Sequence, residues 1–205
     1  MRARYALVPG LLAALVMMMT ACASADSGPG PEPDAAPATT GKATPSPSPG
    51  STGAFESDRH AYRLDVPPGW EVTEYDGTWT RWDQFMPGSA VPGEDVVAAP
   101  DIDAWLVANS MEMPDGTRPA AWMTQLDRLV DSGRPPGCQQ ATGRHVLGGR
   151  PATITTHRCE DFTIMGRALT HRGRGYYFTI GFPPEDATAA ATLDELVSSI
   201  RFLEP

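Results

Sequence analysis

Apolar and polar positions divide the chain into two kinds of stretch. Before Ala54 there is one apolar run near the start and then almost no large side chain; from Phe55 onward apolar residues recur with the periods of strands and helices. Ala61-Tyr62-Arg63-Leu64-Asp65-Val66 alternates apolar and polar residues, the pattern of a half-buried strand, and Pro67-Pro68-Gly69 ends it. Trp70 to Tyr75 alternates again, so the two stretches predict a hairpin-like pair. Between Asp76 and Asp101 no period survives, and glycines and prolines interrupt the chain repeatedly. A loop of that length is either functional or hides an element. Trp79, Trp82 and Phe85 lie in it among Arg81, Asp83 and Gln84. Such aromatics either fold back onto the sheet as core or form an exposed recognition surface.

Asp103 to Met111 reads as a further strand. Pro119 then opens a helix, with Asp115 or Thr117 as its cap, and Trp122, Leu126, Leu129 and Val130 mark one apolar face before Gly133 stops it. His145-Val146-Leu147 runs into Gly148-Gly149, and Ala152 to Cys159 continues as a threonine-rich strand, which predicts a hairpin. Phe162 to His171 alternates between two faces, Phe162, Ile164, Ala168 and Thr170 on one and Met165, Arg167, Leu169 and His171 on the other. Tyr176, Phe178, Ile180 and Phe182 alternate in the next stretch and make it the expected central core strand. Pro183-Pro184-Glu185-Asp186 then starts a final helix whose apolar stripe is Leu193, Leu196, Val197 and Ile200.

The N-terminal run changes the setting of all this. Arg2 and Arg4 precede an apolar stretch, Leu7 to Met19, broken only by Pro9 and Gly10 and followed by small residues, the pattern of a secretory signal. Leu7 to Ala21 falls short of the roughly 20 residues needed to cross a bilayer core, so a short anchor is the alternative and not the main reading. Met19-Thr20-Ala21-Cys22 resembles a bacterial lipobox, in which cleavage falls before the cysteine and a diacylglyceryl group joins its sulfur; secretion with cleavage elsewhere remains open. Ala23 to Ala54 holds 7 Pro, 5 Gly, 5 Ser, 4 Thr and 7 Ala, with nothing able to build a core. The expected organisation is a signal over 1–21, a lipidated Cys22 with a linker over 22–54, and one globular domain over 55–205. The acyl chains on Cys22 would tether the protein to the outer face of the cell membrane.

Without the leader the chain has 14 basic and 25 acidic residues, a net charge of −11, which argues against nucleic acid as a partner. Lys42 is the only lysine and sits in the linker, so the domain lacks the lysine that a phosphate-binding GK[ST] loop, a Ser-Lys hydrolase or a Schiff-base enzyme requires. If Cys22 is lipidated, Cys138 and Cys159 remain as an even pair outside the cytoplasm, where disulfides persist. A metal site or a reactive thiol near His157 is the alternative use of that pair.

No catalytic motif is present and no cofactor is expected. His60, His145, His157 and His171 are scattered, with neither HExxH nor GxSxG spacing. The alternative to a binding role is a hydrolase or metal-dependent enzyme that uses His157 and His171, expected on neighbouring strands, with Glu94, Asp95, Asp101 and Asp103 as loop carboxylates. Arg158, Arg167, Arg172 and Arg174 form a further candidate cluster, for an anion.

The order of Tyr62 with Pro67 to Trp70, then Gly149 to Ala152, Tyr176 to Thr179 and Leu196 to Phe202 resembles the PsbP-like superfamily. That superfamily includes the photosystem II extrinsic subunit, a nuclear-transport Ran-binding protein and actinobacterial lipoproteins of the LpqN-like kind. The resemblance spans Phe55 to Pro205 and implies an α+β fold: an antiparallel sheet flanked by helices, a PsbP-like α/β/α sandwich. It also implies a binding or assembly role without a shared catalytic site. The expectation is a membrane-anchored lipoprotein that binds an envelope protein, glycan or lipid, with Trp79, Trp82 and Phe85 as its contact.

Overall fold

The computed structural model describes residues 53–75, 77, 79–82 and 93–204. The strands are β1 (Gly53–Ser57), β2 (Tyr62–Val66), β3 (Glu71–Glu74), β4 (Asp95–Ala98), β5 (Trp105–Glu112), β6 (Gln139–Leu147), β7 (Arg150–Arg158), β8 (Thr163–His171), β9 (Arg174–Phe182) and β10 (Arg201–Phe202). The helices are α1 (Pro119–Ser132) and α2 (Ala187–Ser198). Seven strands form one sheet in the order β3-β4-β5-β9-β8-β7-β6, and β1-β2-β10 form a small second sheet. All pairings are antiparallel.

Residues directly opposite one another in a ladder share a face. The register therefore puts Tyr177 and Ala168 on one side of the large sheet, and Tyr176, Leu169, Phe178 and Arg167 on the other. On the first side α1 lays down Trp122, Leu126 and Val130, spaced by four, against Met111, Ala168, Tyr177 and Trp79. The helix comes close enough that a Cβ at Gly175 would collide with the Trp122 ring, which is why that strand position carries no side chain. On the second side α2 and the small sheet bury Leu193, Leu196 and Val197 against Tyr62, Leu64, Phe178 and Ile180. Each such aliphatic or aromatic residue contributes about 1.5–3 kcal/mol by leaving water. With helices on both faces of an antiparallel sheet, the α+β class expected from the sequence is the one observed.

Local signals explain the helix ends. Asp186 accepts a hydrogen bond from the Ala189 N–H at 2.8 Å and so caps α2, which begins after Pro183–Asp186 instead of within it. The start of α1 differs from expectation: Arg118 is the N-cap residue and makes no side-chain cap hydrogen bond, so neither Asp115 nor Thr117 caps it. Pro119 supplies the preset φ that opens that helix.

Two sequence expectations fail. β2 and β3 are not a hairpin: Trp70 N–H closes a turn onto the Pro67 carbonyl, but the two strands enter different sheets. β2 pairs instead with β1, whose first residues lie in the stretch read as linker, and with β10. The long aperiodic stretch also contains a strand, β4, paired between β3 and β5.

Cys138 and Cys159 are joined in a disulfide, with Cα atoms 4.4 Å apart and 21 residues of sequence separation. It ties the approach to β6 to the end of β7. Among the described residues no helix is long and apolar enough to cross a membrane.

Candidate functional site

A connected group of polar side chains lies where the small sheet meets the β4–β5–β9 part of the large one. The tight turn from β1 to β2, in which Ala61 takes a left-handed φ of 51°, presents His60 inward. β2 contributes Tyr62, β4 Asp95, β5 Ser110 and β9 Arg174. Burial holds the His60 imidazole below its ordinary pKa, against the pull of the Asp95 carboxylate 4.0 Å away. A neutral ring has one donor. Nε2–H donates to the Gly93 carbonyl (2.6 Å), so Nδ1 accepts from the Ser110 hydroxyl (2.7 Å), and Ser110 Oγ in turn accepts from Arg174 Nη1 (2.9 Å). Beside this relay the Tyr62 hydroxyl donates to Asp95 Oδ2 at 2.8 Å. Burial and that carboxylate together push the phenol well above its usual pKa.

Serine, histidine and aspartate thus lie together, but not as a nucleophile and its base. Ser110 is 1% exposed and His60 2%, and the serine proton is already committed to the ring. The arrangement works as a latch between the two sheets. Among the described residues, Asp95 Oδ1 and Asn109 Oδ1 are buried with no hydrogen-bond partner. They do not converge, because Asp95 stands opposite Ala108 while Asn109 is the next residue along β5 and points to the other face. Among the described residues no group of three His, Cys, Asp or Glu side chains is placed to hold a metal ion.

The residues singled out in the sequence are mostly kept apart. His157 stands opposite Ile164, and His171 lies seven positions further along β8, about 23 Å at roughly 3.3 Å per residue. That odd interval also puts the two rings on opposite faces, so they cannot act as an acid–base pair. Burial lowers the pKa of both. Glu94 and Asp95 are buried at the head of β4, whereas Asp101 and Asp103 are exposed in the turn beyond its other end, so these four carboxylates form no calcium site. The arginines form no anion cluster. Arg167 is buried with Nη2 on Asp194 (2.9 Å), Arg172 pairs with Glu204 (3.0 Å), Arg174 belongs to the latch, and Arg158 ends β7.

The tryptophans divide between core and surface. Trp79 is 1% exposed, its Nε1–H donates to the Arg81 carbonyl (2.8 Å), and its ring lies edge-on to Trp82 at 5.6 Å and 6.4 Å from Trp122. Trp82 is half-buried and 5.4 Å from Trp122. Trp79 is therefore core, and Trp82 is the ring that reaches the surface. Phe85 and Cys22 lie outside the described residues. The sequence reading missed His60, Tyr62 and Ser110 as a group, since nothing local links positions so far apart.

No protein-family model matches the chain, and no curated protein does. Among solved structures the fold is similar to cyanobacterial PsbP (CyanoP) from Synechocystis, with a TM-score of 0.52 and 14% identity, over 78% of this chain and 98% of that one. Weaker likenesses include the Ran-binding protein Mog1p of Saccharomyces cerevisiae (TM-score 0.45, 11% identity, 76% of this chain and 97% of that one). LpqN of Mycobacterium tuberculosis, involved in cell envelope biogenesis, is a further one (TM-score 0.41, 14% identity, 74% and 90%). At these identities a likeness speaks to fold alone, and the last two carry no argument. The chain has a PsbP-like α+β fold.

Proposed function

We propose that the protein is a non-enzymatic binding or assembly module of a bacterial cell envelope. In this reading acyl chains on Cys22 hold it on the outer face of the membrane, the residues between Cys22 and β1 act as a spacer, and the chain from Gly53 onward forms the single presenting domain. The observation that carries the non-enzymatic part is the placement of reactive side chains. Those brought together, His60, Ser110 and Asp95, are buried and hydrogen-bonded to one another or to their neighbours, and the strand-borne His157 and His171 sit on opposite faces. The leader and the Met19-Thr20-Ala21-Cys22 stretch support the tether. Trp82 is the assigned contact, with Phe85 its companion in sequence, because its half-exposed ring is held against Trp79 and Trp122 and loses little freedom on binding. The ligand class is an envelope protein, glycan or lipid.

Intact mass of the chain purified from its own membranes tests the tether. The expected product lacks residues 1–21 and carries a diacylglyceryl group on Cys22; a retained leader or an unmodified N-terminus sinks it. Capture from the same envelopes by the full-length chain tests the contact: Trp82→Ala should lose the retained partner while keeping the far-UV circular dichroism spectrum, and equal capture refutes the assignment.

A further inference from the structure

The two edges of the seven-stranded sheet are built differently. β3 is four residues long and carries Glu71 and Glu74 at its ends, both exposed. Short length and charge are the usual protections of an edge against pairing. β6, at the opposite edge, is nine residues long, and of these only Leu147 is buried. It has no lysine, proline or carboxylate. The hairpin it forms with β7, residues 139–158, contains Arg144, Arg150 and Arg158 with His145 and His157 and not one Asp or Glu, in a chain whose net charge is −9. The hairpin's own formal charge is thus positive on an acidic protein, with Arg144 on one face of it and Arg150 and Arg158 on the other. The long edge is also held in place: Gln140 donates to Asp131 of α1 (3.0 Å) and accepts from Arg134 (3.2 Å), and the disulfide fixes the preceding Cys138.

We propose that β6 is a docking edge for an acidic segment of extended peptide, which adds to the sheet as a further strand. Among the described residues no strand pairs with the outer side of β6, where main-chain hydrogen bonds would supply affinity and alternate side chains the selectivity. Gln140, Thr142, Arg144 and Val146, the last 65% exposed, share one face by period, so a carboxylate of the incoming strand that faces this way meets Arg144. A second copy is the poorer occupant, because its own β6 brings the same positive charge and its β3, though acidic, covers only four residues. A strand fixed at one end by a disulfide and a side-chain clamp loses little freedom on pairing.

The test uses the full-length chain and a ten-residue peptide of alternating threonine and glutamate, with lysine replacing glutamate in the control. Affinity is read by fluorescence anisotropy and location by amide hydrogen exchange. The glutamate peptide should protect residues 139–147 and bind about tenfold tighter than the lysine peptide at low ionic strength. That preference should shrink at about 1 M salt, where the screening length is about 3 Å. Arg144→Glu should reverse the preference while leaving the melting temperature in place. Equal binding of the two peptides, no binding, or protection elsewhere overturns the proposal. So does protection of 139–147 that grows with protein concentration in the absence of peptide, since a second copy then fills the edge.

Discussion

The β4–β5–β9 side of the sheet and the β6–β7 side handle polar groups in opposite ways. On the first, His60, Ser110, Tyr62 and Asp95 are buried and spend their hydrogen bonds on one another, on Arg174 and on the Gly93 carbonyl. On the second, nearly every residue of β6 faces water. A low-dielectric interior makes a satisfied network stiff and an unsatisfied one costly, so the first side fixes how the two sheets meet. The second leaves the outer backbone of β6 without a neighbouring strand among the described residues. The contrast separates what holds the fold from what can meet a partner, and five variants probe it from opposite ends.

The largest effect belongs to Trp79→Ala. Removing a fully buried indole that touches two other tryptophans should destabilise the protein by about 3–5 kcal/mol, read by urea unfolding. A loss within the range of a surface substitution would show that Trp79 is not core. Cys138→Ser with Cys159→Ser should cost about 3 kcal/mol by releasing a loop closed over 21 residues. It should also free the start of β6 to exchange faster.

Next comes pH. The folded pKa of His60 lies below the ordinary 6.5, so between the two values the unfolded chain binds more protons than the folded one. The contribution of His60 is therefore complete above pH 6.5 and is lost as the pH falls through the folded value. His157 and His171 are shifted the same way, so the informative quantity is the difference between wild type and His60→Gln. Unfolding free energies of the two should converge as the pH drops. Parallel curves would place the titration elsewhere. The smallest effect is expected at the open edge, where Arg144→Glu and Val146→Ala should each shift stability by no more than about 0.5 kcal/mol.

Much of the fold is legible wherever the signal is local. The alternation of Tyr176, Phe178, Ile180 and Phe182, the helical stripe of Leu193, Leu196 and Val197 and the Gly148-Gly149 turn all appear where the residues put them, while Ile200 is buried just beyond the end of α2. The failures share a cause. β1 opens on Gly53-Ala54 with little alternation, β4 is four residues containing adjacent valines, and β10 is two residues, so their existence depends on partners distant in sequence. Without β1 and β10 in view, β2 has no visible partner except β3. The latch is illegible for the same reason: positions 60, 62, 95, 110 and 174 meet only through the sheet order. The histidine pair illustrates a different limit. That His157 and His171 lie on neighbouring strands can be read from the chain, but which face each takes is set by register, and one odd interval puts them on opposite sides.

Amide hydrogen exchange across the full-length chain tests the division most directly. β5 and β9, which carry Ser110 and the central aromatic row, should exchange at the rate of global unfolding, whereas the outward amides of residues 139–147 should exchange through local opening at far lower free energy. Protection of β6 equal to that of β9 in the protein alone would contradict it.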